Sequence, residues 1–289
     1  MPSRLPRFVH PRLRALGALG VAALACLCAA PAALADTAVS GNWAGYAAHG
    51  SGVHFRTVTG RWQVPKGACT GGEPGYSSIW VGLGGYSVSS NALEQTGTEL
   101  DCTRGGRAVY SAWYEIVPAP AHGIKIGVRG GDLMQATVTV KGHRVTVVLQ
   151  DLTRHRGFRR TVSAAGLDTT SAEWIVEAPS ACDGSGDCFT LPLADFGSAT
   201  ISSARAVNRR GLAGGITSPW WAATEITLAP HGTRFFADSF NDAGGKATPS
   251  LLAAGASSFS VTYEGSASGT GVTGQPGPTF SGHLVHPRR

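Results

Sequence analysis

Between Gln135 and Leu149 the chain reads Ala136-Thr-Val-Thr-Val140, then Lys141-Gly142-His143, then Arg144-Val-Thr-Val-Val-Leu149. Two β-branched runs of period two joined through a glycine predict a β-hairpin. Helical periodicity is hard to find anywhere after residue 36. Further strand candidates are Arg56–Gln63, Ser78–Leu83, Val109–Val117, Ala172–Glu177, Ala199–Ser202, Ala223–Leu228 and Ser258–Tyr263. Short strands separated by Gly-rich turns predict an all-β sandwich or barrel. No internal repeat or linker divides this region. The stretch from Glu264 to Arg289 is rich in Gly, Ser, Thr and Pro with a basic end, and reads as a poorly ordered tail. The expected organisation is a leader over 1–35, one domain over 36–264 and a tail over 265–289.

The leader is read from its own pattern. Arg4, Arg7, Arg12 and Arg14 precede an apolar run from Ala15 to about Cys28, followed by Ala33-Leu34-Ala35. A basic start, an apolar centre and a small-x-small end mark a secretory signal, cut after about Ala35. A membrane anchor would need roughly 20 apolar residues, more than this run supplies. A lipid anchor at Cys26 or Cys28 fits the surrounding residues poorly. The expectation is a secreted protein with no membrane attachment after cleavage and no sign of an obligate partner, hence a monomer.

Export changes what charge and cysteine mean. The whole chain carries +6, from 24 Lys and Arg against 18 Asp and Glu. Losing the four leader arginines leaves 20 against 18, a net +2. No basic run interleaved with aromatics remains, so no nucleic-acid partner is expected. Six cysteines become four once Cys26 and Cys28 leave. An even number in an exported chain favours disulfides. Cys182 and Cys188 flank the turn-rich Asp183-Gly184-Ser185-Gly186-Asp187 and can close a small loop, which leaves Cys69 with Cys102. No CxxC or HExxH string points to a metal, and no cofactor is expected. The G-x-S-x-G elbow is missing as well.

What stands out is a set of strand segments where carboxyls, amides and aromatics replace apolar residues. In Ala172-Glu-Trp-Ile-Val-Glu177 the pleat sends Ala172, Trp174 and Val176 to one face and Glu173, Ile175 and Glu177 to the other. In Tyr110-Ser-Ala-Trp-Tyr-Glu-Ile-Val117, Trp113 and Glu115 share a face and Tyr114 points opposite. In Leu93-Glu-Gln-Thr-Gly-Thr-Glu99, Gln95 and Glu99 point the same way if the segment is extended. Each carboxyl taken alone reads as part of a solvated sheet face. Glutamate is depleted in strands, however, and three such segments with aromatic neighbours suggest a cleft floor. There a partly desolvated carboxyl would be raised toward useful acid–base range.

Together these segments resemble the glutamic peptidases (eqolisins). The strings are Asn42-Trp43-Ala-Gly45, Trp80-Val-Gly82, Gln95-Thr-Gly97, Ala112-Trp-Tyr-Glu115 and Ala172-Glu-Trp-Ile-Val-Glu177, in the family's order and at similar intervals. The Cys182–Cys188 loop fits as well. The resemblance runs from about Asn42 to Tyr263. It implies a lectin-like antiparallel β-sandwich of two large bent sheets with a cleft across one face. It further implies endopeptidase action on proteins or peptides at acidic pH, by a dyad of Gln95 and Glu177, with Glu177 as general base then acid. Gln95 would orient water and stabilise the oxyanion. It assigns Trp80, Trp113, Tyr114, Glu115 and Glu99 to substrate binding or support of the dyad. Where fungal relatives carry aspartate, this chain has Gly84 and Glu99.

Two other readings use the same residues. A glycoside hydrolase would pair Glu115 with Glu173 or Glu177 and make Gln95 dispensable. A non-catalytic lectin-like or adhesion module would bind on the aromatics and tolerate Glu177→Gln.

Overall fold

The computed structural model describes Met1 and residues 35–182, 188–232, 244–253 and 255–266. Eighteen strands lie among them. The first half of the chain gives β1 (Asp36–Ser40), β2 (Trp43–His49), β3 (Phe55–Gln63), β4 (Gly75–Gly84), β5 (Leu93–Cys102), β6 (Ala108–Ile116) and β7 (His122–Gly123). There follow β8 (Leu133–Lys141), β9 (Arg144–Asp151), β10 (Arg156–Ser163), β11 (Ser171–Glu177), β12 (Ser180–Cys182) and β13 (Cys188–Thr190). The last are β14 (Ser198–Asn208), β15 (Ala213–Gly214), β16 (Ala222–Leu228), β17 (Gly245–Pro249) and β18 (Phe259–Ser266).

The expected hairpin is β8–β9, in register from Met134 opposite Asp151 to Lys141 opposite Arg144. Its turn is tighter than the sequence suggested. Only Gly142 and His143 lie outside the strands, with Gly142 at φ 60°, a conformation that glycine adopts without strain. The path of hydrogen-bonded strands runs β10-β9-β8-β3-β14-β18-β17-β16-β2-β11-β4-β5-β6-β7. These pairs are antiparallel; β1 alone among the described strands pairs in parallel, with β16. The path folds over so that β3, β8 and β9 pack against β4, β5 and β11. The result is an all-β sandwich whose two layers belong to one continuous ladder.

Between the layers lies a core that includes Tyr46, Phe55, Trp62, Leu83, Met134, Leu149, Trp174 and Ile201, all essentially without exposure. Two indoles cross it and find polar partners on the far layer. Trp62 Nε1 donates to Thr98 Oγ1 at 2.8 Å, and Trp174 Nε1 donates to the Thr59 carbonyl at 2.8 Å. Gly60 makes the second crossing possible, since a Cβ there would lie 3.0 Å from both Trp174 Cδ1 and Val81 Cγ1. A second apolar cluster occupies the other face of β2, β11, β4, β5 and β6. Trp43, Ala47, Trp80, Leu93, Trp113, Val117, Ile175 and Ile226 form it. Strands β4, β5 and β11 are therefore buried on both faces, which is why their sequences lack a clean polar alternation.

Cys69 and Cys102 are bonded, tying the loop before β4 to the end of β5. Cys182 and Cys188 are backbone partners in the β12–β13 pair, but their side chains lie outside the described residues, so the second expected disulfide falls there. The expected leader also lies outside them, save Met1 and Ala35. β18 continues to Ser266, two residues into the expected tail, because Gly245 and Lys246 pair with Ser266 and Gly265. Residues 267–289 are not among those described. Replacing both Cys69 and Cys102 with serine opens a loop of 33 residues' separation. Loop-closure entropy then predicts a loss of about 3–4 kcal/mol in urea unfolding; a loss below about 1 kcal/mol would show that the loop is held without the bond.

Candidate active site

Register carries the candidate residues to one face. Glu177, Ile175 and Glu173 of β11 lie opposite Ser78, Trp80 and Gly82 of β4. The same three β4 residues lie opposite Glu99, Gly97 and Gln95 of β5. Those in turn face Ser111, Trp113 and Glu115 of β6. Directly opposed residues share a face. Three rows result: Glu177–Ser78–Glu99–Ser111, Ile175–Trp80–Gly97–Trp113 and Glu173–Gly82–Gln95–Glu115. A middle row of indoles separates two polar ones.

Gln95 and Glu177 thus come from different rows, and Trp80 spans the gap. Its Nε1 donates to Glu177 Oε2 at 2.6 Å. Its other edge lies beside Gln95: a Cβ on Gly82 would sit 3.0 Å from Trp80 Cζ3 and 3.3 Å from Gln95 Cβ. A Cβ on Gly97 would sit 2.6 Å from Trp80 Cβ and closer still to the Ile79 carbonyl. The glycines ending the Trp-Val-Gly and Gln-Thr-Gly strings are thereby explained, because both make room for this indole. Trp43 meets Trp80 edge to face, with centroids 5.1 Å apart.

Glu177 is 4% exposed. Burial pushes its pKa up to about 7, and donors from Trp80, Trp43 and Asn42 hold it from rising further. Asn42 Nδ2 donates to Glu177 Oε1 at 3.2 Å. The turn between β1 and β2 aims it there. Ser40 Oγ donates to Asn42 Oδ1 at 3.1 Å and accepts from the backbone N–H groups of Asn42 and Trp43. With its oxygen engaged, the Asn42 amide presents its nitrogen to the carboxylate.

Gln95, 1% exposed, donates from Nε2 to Glu115 Oε2 at 2.9 Å. Its Oε1 is buried without a hydrogen-bond partner among the described residues. Glu115 is raised well above the ordinary 4.5, by burial first and then by the charge of Glu177, while the Gln95 bond lowers it. Glu99 is raised by burial and by Asp101 and Glu177; Ser111 Oγ donates to its Oε2 at 3.1 Å and moderates the rise. Glu173 is raised most by burial, eased by the approach of Ser171 and raised again by Asp168 and Glu94. Neither oxygen of Glu173 makes a hydrogen bond of ordinary geometry. Glu177 and Glu173 share a strand face, yet donors converge on Glu177.

Trp80, Trp113, Glu115, Glu99, Gln95 and Glu177 are all on this face. Tyr114 is not. It points into the sandwich core, stacked between His122 and Phe158 with centroids at 5.0 and 5.6 Å. The alternation of the pleat separates it from Trp113, and no bulge in β6 intervenes to reverse that. Asn42 and Trp43 were legible as a string but had no assigned role; their contact with Glu177 spans 135 and 134 residues of sequence. Among the described residues no group of three or more His, Cys, Asp and Glu could hold a metal ion, and no helix is long and apolar enough to cross a membrane.

The model of the peptidase A4 family matches residues 41–235. The fold is similar to that of scytalido-glutamic peptidase, crystallised with a peptide-based transition-state analogue, at 24% identity and a TM-score of 0.61, over 77% of this chain and 98% of that one. It is similar to SCP-B, a member of the eqolisin family in a complex with the tripeptide Ala-Ile-His, at 23% identity and a TM-score of 0.59 over the same shares. Aspergilloglutamic peptidase from Aspergillus niger matches at 28% identity and a TM-score of 0.50, over 66% of this chain and 99% of that one. No curated protein matches the sequence.

Glu94 is raised to about 9 and Asp101 to about 7, burial being the first cause for each, so six carboxyls of β5, β6 and β11 hold protons unusually tightly. When unfolded they release those protons near pH 4–4.5. The folded chain therefore binds more protons from about pH 4.5 upward, and its stability falls as pH rises through that range. Asp168, held low by Ser90, Thr170 and Gly85 against its burial, works in the opposite sense only in stronger acid. Thermal unfolding should give a higher midpoint near pH 4.5 than near pH 8; a midpoint that climbs between them would contradict this burial.

Proposed function

The chain belongs to the peptidase A4 family and is a glutamic-type endopeptidase, and from that premise we propose that Gln95 and Glu177 carry out its hydrolysis of proteins or peptides. The observation that supports this pair most is the convergence of Asn42, Trp43 and Trp80 on Glu177. A general base must be ionised while it works, and these donors favour the charged form at Glu177 in a way that Glu173 lacks. The family match sets aside the glycosidase and binding-module readings.

Glu177 as carboxylate takes a proton from water as the water oxygen bonds to the scissile carbonyl carbon. It then gives that proton to the amide nitrogen as the carbon–nitrogen bond breaks. Gln95 holds the other side. Its Oε1 accepts a hydrogen bond from the attacking water, and Glu115 takes one N–H of Nε2 and fixes the amide plane. The second N–H of Nε2 donates to the developing oxyanion. The amide cannot change charge near neutrality, so the roles of the pair stay separate. Trp80 stands in the row between those of the two residues and donates to the base.

We further propose that the protein acts outside the cell as a monomer. A cut after Ala35 would leave every described strand intact, since β1 begins at Asp36. The working range follows from Glu177. With its pKa near 7, about a tenth of it is ionised one unit below, so hydrolysis extends into mild acid but quickens toward neutrality, which departs from the acidic range that the resemblance implies.

Hydrolysis of unfolded casein tests the dyad. Gln95→Ala should lower kcat about a hundred- to a thousand-fold, the cost of one oxyanion donor; Glu177→Gln should lower it at least as much, both variants keeping wild-type circular dichroism. Activity persisting in both would end the assignment. A profile of kcat/KM for the wild type should climb roughly tenfold per pH unit below 7 before levelling. A flat profile from about pH 4 to 7 would remove Glu177 as the base.

A further inference from the structure

Three turns meet around an open cleft of about 370 Å³ at the end of the sheet away from Glu177. Ser171, which begins β11, pairs with His49, the last residue of β2 before the first of these turns. Glu177 ends the same strand, about 20 Å further on at 3.3 Å per residue. The turn after β2 closes as the Val53 N–H donates to the Gly50 carbonyl at 3.0 Å. The turn after β14 closes as the Gly211 N–H donates to the Asn208 carbonyl at 3.0 Å. Asn208 Oδ1 accepts from the Leu212 N–H at 3.0 Å and stiffens it. Arg209 and Arg210 stand at its tip, both exposed. Arg209 is nonetheless held in place. Its backbone N–H donates to the His54 carbonyl at 2.7 Å, and its Nη2 donates to Thr169 Oγ1 at 3.0 Å.

The third turn supplies an aromatic. Trp221, 6% exposed, meets Phe55 edge to face with centroids 5.2 Å apart and donates from Nε1 to the Ile216 carbonyl at 2.9 Å. Its neighbour Trp220 lines the cleft and is 49% exposed, while the other six tryptophans of the chain are buried. One indole anchors the turn and the next is left to solvent. Val53 and Leu212 add apolar wall.

Charge in the cleft has one sign. None of the described residues lining it is acidic. Asp168, beside Thr169, is engaged elsewhere and accepts from Ser90, Thr170 and the Gly85 N–H. The ion pairs among described residues belong to Arg154, so no described carboxylate neutralises Arg209 or Arg210. A guanidinium offers a planar fork of N–H donors that matches a carboxylate. An indole face attracts the C–H groups of a ring laid flat on it. A bare inorganic anion would use the first feature only. It would also leave most of the volume to water, at about 30 Å³ a molecule.

We propose that this cleft binds an acidic sugar, a uronate residue of a polysaccharide, with its carboxylate on Arg209 and Arg210 and its ring on Trp220. A uronate carries a ring face and a carboxylate in one residue. The volume lies at the low end for ligand pockets, which run from about 300 Å³ upward, and the open rim lets the rest of a sugar chain run out over it. The site stands independently of the peptidase reading. Where both hold, it tethers hydrolysis to surfaces that carry acidic polysaccharide.

Calorimetric titration of the protein with trigalacturonate tests the cleft, with the methyl-esterified trisaccharide, inorganic phosphate and adenosine monophosphate as parallel arms. The free acid should bind at least tenfold more tightly than its ester, the scale of a charged hydrogen bond, and should weaken as salt is raised. Arg210→Ala and Trp220→Ala should each weaken it roughly tenfold or more. Both side chains are exposed, so thermal midpoints and casein hydrolysis should stay at wild-type values. Ester and acid bound alike would overturn the proposal, as would affinity for the acid unmoved in both variants. Phosphate or the nucleotide bound in place of the uronate would assign the cleft to another anion and overturn it too. Absence of any binding up to about 10 mM would do the same. Each of these results leaves the Gln95–Glu177 assignment untouched, because casein turnover is read separately.

Discussion

A slip of one residue between β4 and β5 would turn Gln95 and Glu99 into the sandwich core and bring Thr96 and Thr98 out of it. Everything at the site depends on that slip not happening. The register is held from both faces. On the core side Trp62 of the opposite layer donates to Thr98, a partner that would be lost in any other alignment. On the site side the flat backbone at Gly97 accepts the Trp80 side chain where any larger residue would collide with it. The disulfide at Cys102 holds the same strand at its far end. A polar contact, a steric fit and a covalent bond all agree on one pairing.

Once the register is fixed, the carboxyls have little choice about their protonation. Glu99 and Glu115 each feel the charge of Glu177 across a buried strand face. Such neighbours titrate as a set, and ionising one makes the next harder. Only a residue supplied with donors can carry the charge at modest cost. Asn42, Trp43 and Trp80 supply those donors to Glu177, while Glu115 bonds the Gln95 amide and burial pushes Glu173 toward its neutral form. Which of these carboxyls can hold a charge is decided less by acidity than by which of them is given N–H groups.

Much of the fold was legible. The period-two runs at β8 and β9, the glycine turn between them and the segments at β4, β6 and β11 all fell where the alternation placed them, within three residues at each end. The pleat also had Tyr114 right: it pointed away from Trp113, and the family resemblance that put both in the cleft gave way to it. Burial was harder to read. A glutamate in a lone strand looks the same whether its face meets water or a second apolar cluster, and only the packed neighbours distinguish the two. Asn42 was recognisable by its neighbours in sequence, but its partner lies on a strand formed more than a hundred residues later.

The turn from β1 to β2 has two employers. Ser40 ends the one parallel strand of the described ladder and, through its hydroxyl, fixes the amide that supports Glu177. β1 rests on β16 along five residues, most of them at least partly exposed. Fraying at this end leaves the indole core untouched, yet it withdraws a donor from Glu177, the proposed base. The protein can therefore lose competence while keeping its fold, and the seating of its first strand acts as a latch on its chemistry.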